Sequence, residues 1–390
     1  MIRKLAPLTA GALVMGSGSL VIAGILQPIA TDLQVDVPLV GQLTPAYAIA
    51  FAVAAPIISV LAGRFDRRSV LITSLLVFAL ASLLGAVAPT FELLLLSRIL
   101  AGVAGAAFTP NAVAVGGTLV APERRGQAIS LVFGGFTVAA VIGVPLGIWL
   151  GLHIGWRETL MVVAGIAVIA AGLIRYGVPS GVKLPAADLN KWRSLLHDRA
   201  AVLMIATTMA SIAGTYAVFS YIGPFLSPTV SGNPDQLALL LAAFGGAGFV
   251  GNLISGRLVD RIGAPLTVKL NQIGVIIGLA VLVLAHGALL PSLIGLIIWG
   301  GTVFSINTAQ QSRLIAHAPA LQGVLLPANA SMLYVGQFLG GAIGGGAIAT
   351  HAIDLAGLPV IGIIFLIVGF TLSSLAERTN FQHPKPILAG

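Results

Sequence analysis

The side chain with most to explain is Arg98, a guanidinium set inside the apolar run 93–118. An arginine at the centre of a bilayer-length segment costs about 3 kcal/mol or more, so it needs a partner or a task. Helical spacing puts Arg98, Gly102, Gly105 and Thr109 on one face, aiming the guanidinium along a groove of small residues. Two roles are open to it: a structural arginine held by carbonyls of another helix, or a contact for a substrate or a relayed proton. All twelve acidic residues, Asp32, Asp36, Asp66, Glu92, Glu123, Glu158, Asp188, Asp198, Asp235, Asp260, Asp354 and Glu377, fall between apolar runs or at their ends. None is a buried carboxylate whose pKa could rise toward neutrality and take up a proton. Asp32, at the end of the first run, is the acid placed to pair with Arg98. His153 and His286 are the other titrating candidates, each also readable as a solvated surface residue.

A second set of side chains can hydrogen-bond without charge. Ser17 and Ser19 fall in the first run, Asn111 in the fourth, Phe136 and Thr137 in the fifth, and Ser211, Thr215 and Tyr216 in the seventh. Trp299, Thr302 and Asn307 fall in the tenth, and Asn329, Tyr334 and Gln337 in the eleventh, where Asn329 and Gln337 share a face. Amides and hydroxyls in hydrocarbon need partners, so each can stitch helices together or touch a ligand. Together they describe a neutral pocket for an uncharged or amphipathic molecule. Arg98 would tolerate an anion, and a strongly cationic ligand is disfavoured.

Catalysis finds no support. There is no nucleophile with its base, and no cysteine to form thiolate metal sites. The six histidines lack ligand spacing, so neither a metal nor a cofactor is expected. The Gly-rich stretches lie inside apolar runs rather than after a strand, which excludes a phosphate-cradling loop.

The elements that must position these residues are twelve apolar runs at about 8–30, 43–62, 70–88, 93–118, 128–151, 157–177, 200–223, 236–256, 265–286, 289–313, 324–349 and 356–376. Each approaches the roughly 20 residues that cross a hydrocarbon core. With 57% hydrophobic and 8% charged residues and a mean hydropathy of +1.04, the chain is an all-α membrane protein. The first run follows Met-Ile-Arg-Lys but is long and lacks a small-x-small cleavage site, so it reads as an uncleaved helix. Lysine and arginine crowd the chain start, alternate gaps (Arg64, Arg67, Arg68; Arg124, Arg125; Arg257, Arg261, Lys269) and the tail. Both termini are therefore expected in the cytoplasm. The net charge of +8 reflects this topology and anionic lipid headgroups rather than nucleic acid.

The polar gap 178–199 divides the runs six and six, giving bundles at 1–177 and 200–377, a cytoplasmic linker at 178–199 and a cytoplasmic tail at 378–390. Gly256-Arg257-Leu258-Val259-Asp260-Arg261-Ile262-Gly263 follows run eight, and Ser59 to Arg68 follows run two, 197 residues earlier. Two parallel six-helix repeats account for this.

The loop at 256–263 resembles the signature loop of the major facilitator superfamily, and Arg98 to Ala107 is similar to that family's Arg-x-x-x-Gly-x-x-Gly-Ala-Ala stretch. Gly143-Val144-Pro145-Leu146-Gly147 is similar to the Gly-Pro motif of its antiporters. Gly155-Trp156-Arg157 and Tyr216 to Pro224 resemble the twelve-helix drug:H+ antiporter branch that includes bacterial sugar-efflux and chloramphenicol-efflux permeases. The resemblance implies a monomeric exporter in a bacterial cytoplasmic (inner) membrane, moving a small neutral or amphipathic solute, sugar-like or drug-like, by alternating access with proton antiport. It implies that Gly256, Asp260, Arg261 and Gly263, with Arg64, Asp66, Arg67 and Arg68 in the first copy, latch the cytoplasmic side; a plain turn with topogenic charge is the other reading. The first copy departs from the pattern, with Gly63 at the aspartate position. Either Asp66 takes over from a shifted position or the first half latches weakly. In run five, Pro145 and the glycines 134, 135, 143, 147 and 151 are expected to bring the two halves close, as a seal against leak or as packing alone. Relatives often carry a glutamate in helix one where this chain reads Gly16-Ser17-Gly18-Ser19-Leu20. An uncoupled facilitator or solute exchanger of the same fold therefore stands as an alternative, and a non-transporting sensor or channel as another.

Overall fold

The computed structural model describes residues 2–61, 65–121, 125–182, 189–230 and 233–382. Among them, twelve helices are long and apolar enough to cross a membrane. Spans one to six are Lys4–Gly24, Val37–Ile58, Arg67–Ala86, Phe91–Thr118, Gly134–His153 and Trp156–Gly177. Spans seven to twelve are Arg199–Phe219, Pro234–Ile262, Ala264–Ala285, Leu289–His317, Val324–Ala349 and Leu355–Thr379. Their outer faces carry exposed Leu80, Ile169, Leu284 and Ile364, as helices bathed in lipid require. The gap at 178–199 is not irregular throughout, because it contains a helix, Leu189–His197, that packs on spans seven and eleven.

The first and seventh apolar runs are each broken, at matching places. Span one passes through a 3-10 turn, Val21–Gly24, before a second helix, Leu26–Leu33; span seven stops at Phe219 before Ile222–Leu226. The joint residues Ile25 (φ −117, ψ 23) and Tyr221 (φ −119, ψ 21) have nearly the same backbone and lie 196 residues apart. Pro28 and Pro224 explain the breaks: each lacks the N–H that would reach the carbonyl four residues back, on Gly24 and Ser220. In span five a π turn, Ala139–Gly143, precedes Pro145, whose missing N–H likewise loosens the ladder.

Each half packs by the same plan. Span one lies on five and six, two on four, and three on four and six; seven lies on eleven and twelve, eight on ten, and nine on ten and twelve. Glycine ladders make the central pairs close. A Cβ at Gly143 would sit 2.0 Å from Ser17 Oγ, and one at Gly147 or Gly151 would sit 2.7 Å from Val21 or Ile25. At Gly336, Gly340 and Gly344, a Cβ would come within 2.3, 2.1 and 2.8 Å of the carbonyls of Met209, Ala213 and Ala217. Gly143 and Gly147 recur 197 residues later as Gly340 and Gly344. In run five, Gly135, Gly143, Gly147 and Gly151 seat span one of the same half, while the span as a whole also packs on span eight of the opposite half.

The halves join through spans two with eleven and five with eight. Taking the end of the bundle that holds the chain ends as the termini side, a close backbone crossing lies on the far side. There the broken spans one and seven meet, and a Cβ at Gly223 would lie 2.5 Å from Gly24 O.

Candidate functional site

Just inside that crossing, a cavity of about 160 Å³ lies at the seam, lined from spans one, five, seven, eight, ten and eleven. It is smaller than the roughly 300–1,000 Å³ usual for drug-sized ligands, so it takes a small solute or one end of a larger one. Ile212, Phe219, Phe244, Phe304, Val303 and Leu333 supply apolar and aromatic walls. Thr215, Tyr216 and Asn307 are the polar groups in the lining, which contains no charged side chain. Thr215 Oγ1 donates to Ser211 O at 3.2 Å, leaving its oxygen lone pairs to the cavity.

The other expected cavity residues divide between supporting and separate positions. Asn329 stands behind Asn307, donating to Asn307 Oδ1 at 3.1 Å and accepting from Thr208 Oγ1 at 2.6 Å. Trp299 is fully buried, its ring 4.9 Å from that of Phe244, so it backs the wall rather than forming it. Gln337 is buried outside the lining, and Phe136 sits against Gly16. Asn111 belongs elsewhere: it accepts from Arg67 Nη1 at 2.6 Å and donates to Ala107 O, tying span three to span four. The side chain of Thr137 and the whole of Arg64 lie outside the described residues.

Arg98 is buried, as its span requires, and Arg98 Nη2 donates to Gly18 O at 3.1 Å. Its guanidinium lies 5.4 Å from the centre of the Tyr47 ring. Gly102 and Gly105 let Tyr47 approach, since a Cβ at either would fall within 2.4 Å of Tyr47 O or its hydroxyl. The expected pairing of Arg98 with Asp32 does not form. Asp32 Oδ2 instead accepts from Arg157 Nη2 at 2.7 Å, because the second helix of span one carries Asp32 out to the far-side surface. Arg157 also donates to Ala86 O and Ala88 O at the end of span three. Ser19 donates to Gly16 O at 2.9 Å in the same neighbourhood as Arg98.

From Tyr47 an aromatic bridge crosses the seam. Tyr334 stacks on Phe51 at 3.5 Å between ring centres and lies 6.3 Å from Tyr47. Tyr334 is among the residues expected from sequence; Tyr47 and Phe51 are not. A hydroxyl-bearing ring inside run two was the available signal for Tyr47; Phe51 and the cavity phenylalanines are ordinary core residues by type, and only the fold brings them together.

The two ends of the seam differ. On the far side, Tyr221 is fully buried, accepting from Gln42 Nε2 at 3.2 Å and within hydrogen-bond reach of Pro38 O and Gly341 O. Gly41 and Gly345 make room for it. Trp149 Nε1 donates to Asp235 Oδ1 at 2.7 Å, and His153 Nε2 lies 3.6 Å from the same oxygen. On the termini side, Asp260 and Arg261 are exposed and form no ion pair among the described residues, and a Cβ at Gly256 would meet nothing within 4 Å. Gly263 has φ +84, which closes the tight turn into span nine. In the first copy, Asp66 caps span three by accepting from Arg68 N at 3.4 Å, and Arg68 donates to Arg175 O. Arg67 is buried against Asn111, so all these contacts stay within one half.

A family model described as Major Facilitator Superfamily matches residues 8–345. The chain belongs to that superfamily. It is a multi-pass membrane transporter, and like its relatives it is not an enzyme. It is 28% identical over 371 residues to the inner membrane transport protein YdhP of Escherichia coli K12, covering 95% of each chain. It is 30% identical over 317 residues to a chloramphenicol resistance protein of Streptomyces lividans, covering 79% of this chain and 80% of that one. Among solved structures, a bacterial homologue of the lysosomal transporter Spinster, inward-facing and occupied, superposes with a TM-score of 0.76 at 18% identity over 97% of both chains. The nucleoside transporter NupG gives 0.75 at 14% identity over 97% of this chain and 99% of that one. These two establish the facilitator fold alone. Within that fold, Tyr47 and the seam cavity lie where the two halves meet, and Arg98 reaches Tyr47 from span four.

Proposed function

We propose that this transporter exports a small neutral or amphipathic solute by alternating access, in exchange for protons, with both termini in the cytoplasm of a bacterial inner membrane. The observation that carries the reading is the cavity at the seam, walled by both halves and lacking charge. A site shared by two rocking bodies can be opened to either side, and an uncharged lining favours an uncharged ligand. The far-side contacts at Tyr221 and Asp235, together with the exposed Asp260, fit a state that loads from the termini side. A chloramphenicol resistance protein and an inner membrane transport protein among the relatives support export and location.

A second reading, uncoupled facilitation or solute exchange, is favoured by one observation: no carboxylate lines the cavity, and Arg98 has no acidic partner among the described residues. Purified protein in liposomes with an internal pH-sensitive dye separates the two. Chloramphenicol and neutral sugars are added with and without an imposed proton gradient. Proton movement that depends on solute is the expected result. Saturable solute flux without proton movement would instead establish the uncoupled transporter.

A further inference from the structure

We infer that the cavity recognises the uncharged hydrogen-bond acceptor of its solute, such as a carbonyl or ether oxygen, through the Asn307 amide N–H groups, whose orientation is set by a relay from Thr208 through Asn329. The inference rests on the seam cavity being the solute site and names the class of solute it takes.

The chain of bonds has a direction. Thr208 Oγ1 donates to Asn329 Oδ1 at 2.6 Å, which leaves the Asn329 amide nitrogen for the next bond. Asn329 Nδ2 then points to Asn307 Oδ1 at 3.1 Å, an ordinary N–H···O distance. With its oxygen committed, Asn307 presents Nδ2 to the cavity, where it has no protein partner among the described residues. The start of the relay is also fixed. A helical threonine commonly gives its proton to the carbonyl four residues back, as Thr207 does to Leu203 O. For Thr208 that carbonyl is Met204 O, which receives Gln310 Nε2 instead, and the Thr208 proton goes to Asn329. Asn329 and Thr208 are 0% and 1% exposed, so no water competes for these bonds. The relay spans seven, eleven and ten of one half, and the aromatic walls hold the apolar body of the solute while the amide holds its acceptor.

The test uses full-length protein in detergent and three naphthalene probes of like shape: a methyl ketone that only accepts, the corresponding alcohol, and the ethyl hydrocarbon that does neither. Affinities come from quenching of tryptophan fluorescence, compared between wild type and variants so that micelle partition cancels. Asn307→Leu and the smaller Asn307→Ser are expected to weaken the ketone about fivefold while the hydrocarbon changes less than twofold. Thr208→Val, which leaves the cavity wall intact, is expected to lower the ketone preference and raise that for the alcohol as the amide turns over. Leu333→Trp fills the cavity and is expected to abolish binding of all three probes. Ketone affinity unchanged in both Asn307 variants, with Leu333→Trp still blocking, overturns the donor assignment and leaves the cavity reading standing. A normal ketone preference in Thr208→Val overturns the relay. Probe binding unaffected by Leu333→Trp removes the cavity as the solute site, and both readings fall together.

Discussion

The two halves share one packing plan and use it for different chemistry. In the first half two guanidiniums are buried among scattered hydroxyls and the Asn111 amide: Arg98 on Gly18 O beside Tyr47, and Arg67 on Asn111. In the second half the buried polar groups are mostly amides and hydroxyls: Thr208–Asn329–Asn307, Gln272 with Ser211, Asn271 with Ser255, and Thr308 with Asn252. Its buried cation, Arg313, lies near the termini side, bonded to Ser373 and 3.9 Å from Glu377. Duplication supplied the frame, and divergence placed a fixed charge on one side of the seam and neutral hydrogen-bonding groups on the other. A cation inside the membrane is costly to desolvate and responds to any charge or dipole that enters, whereas a satisfied amide network mainly fixes shape and orientation.

That division makes its strongest prediction at Arg98. Arg98→Ala should reduce solute flux in liposomes to background while the protein still inserts and retains its helices. Normal flux with a lowered melting temperature would make the arginine structural and erase the functional contrast between the halves. The glycine ladders test whether the halves are equally rigid. Gly340→Ala drives a methyl to 2.1 Å from a backbone carbonyl, which cannot rotate away, and should cost about 2–3 kcal/mol. Gly143→Ala meets mainly Ser17 Oγ, at 2.0 Å, and a hydroxyl can rotate aside, so the cost should be under about 1 kcal/mol. Melting temperatures of the two variants, measured in the same detergent, decide it, and equal losses would mean that the first half tolerates no more than the second.

Much of this frame was legible beforehand. Hydropathy located the twelve spans, and the 197-residue offset found in the loops reappears in Gly143/Gly340 and Gly147/Gly344. Partner choice was not legible. Asp32 meets Arg157 across 125 residues of chain, and nothing local in sequence distinguishes that pairing from one with Arg98. The break at Ile25, which carries Asp32 to the surface, follows from Pro28 only once the helix axis is known. Likewise the glycines of span five announce close packing, but which neighbour they receive depends on rotation of the helix, which hydropathy does not fix.

The latch and its opposite end extend the comparison from halves to ends. Asp260→Asn should lower flux severalfold while leaving probe affinity unchanged, since Asp260 is exposed and forms no ion pair among the described residues in this state. Its effect belongs to the state in which the termini side closes. Unchanged flux would remove the latch assignment and leave the loop as a turn.

The smallest effect is expected at Tyr221, where the far-side closure concentrates its hydrogen bonds. Tyr221→Phe keeps the ring between Gly41 and Gly345 but removes the hydroxyl that receives Gln42 Nε2 and reaches Pro38 O and Gly341 O. A net loss of about 1 kcal/mol is a roughly fivefold shift in a two-state equilibrium. The shift should favour the state open on the far side, because the Gln42 and Pro38 contacts join the halves only while that side is shut. Spin labels placed on exposed Thr31 and Leu239 would report it as a larger population at long separation. An unchanged distance distribution would mean that the Gly24–Gly223 crossing, rather than the tyrosine, holds the far side closed.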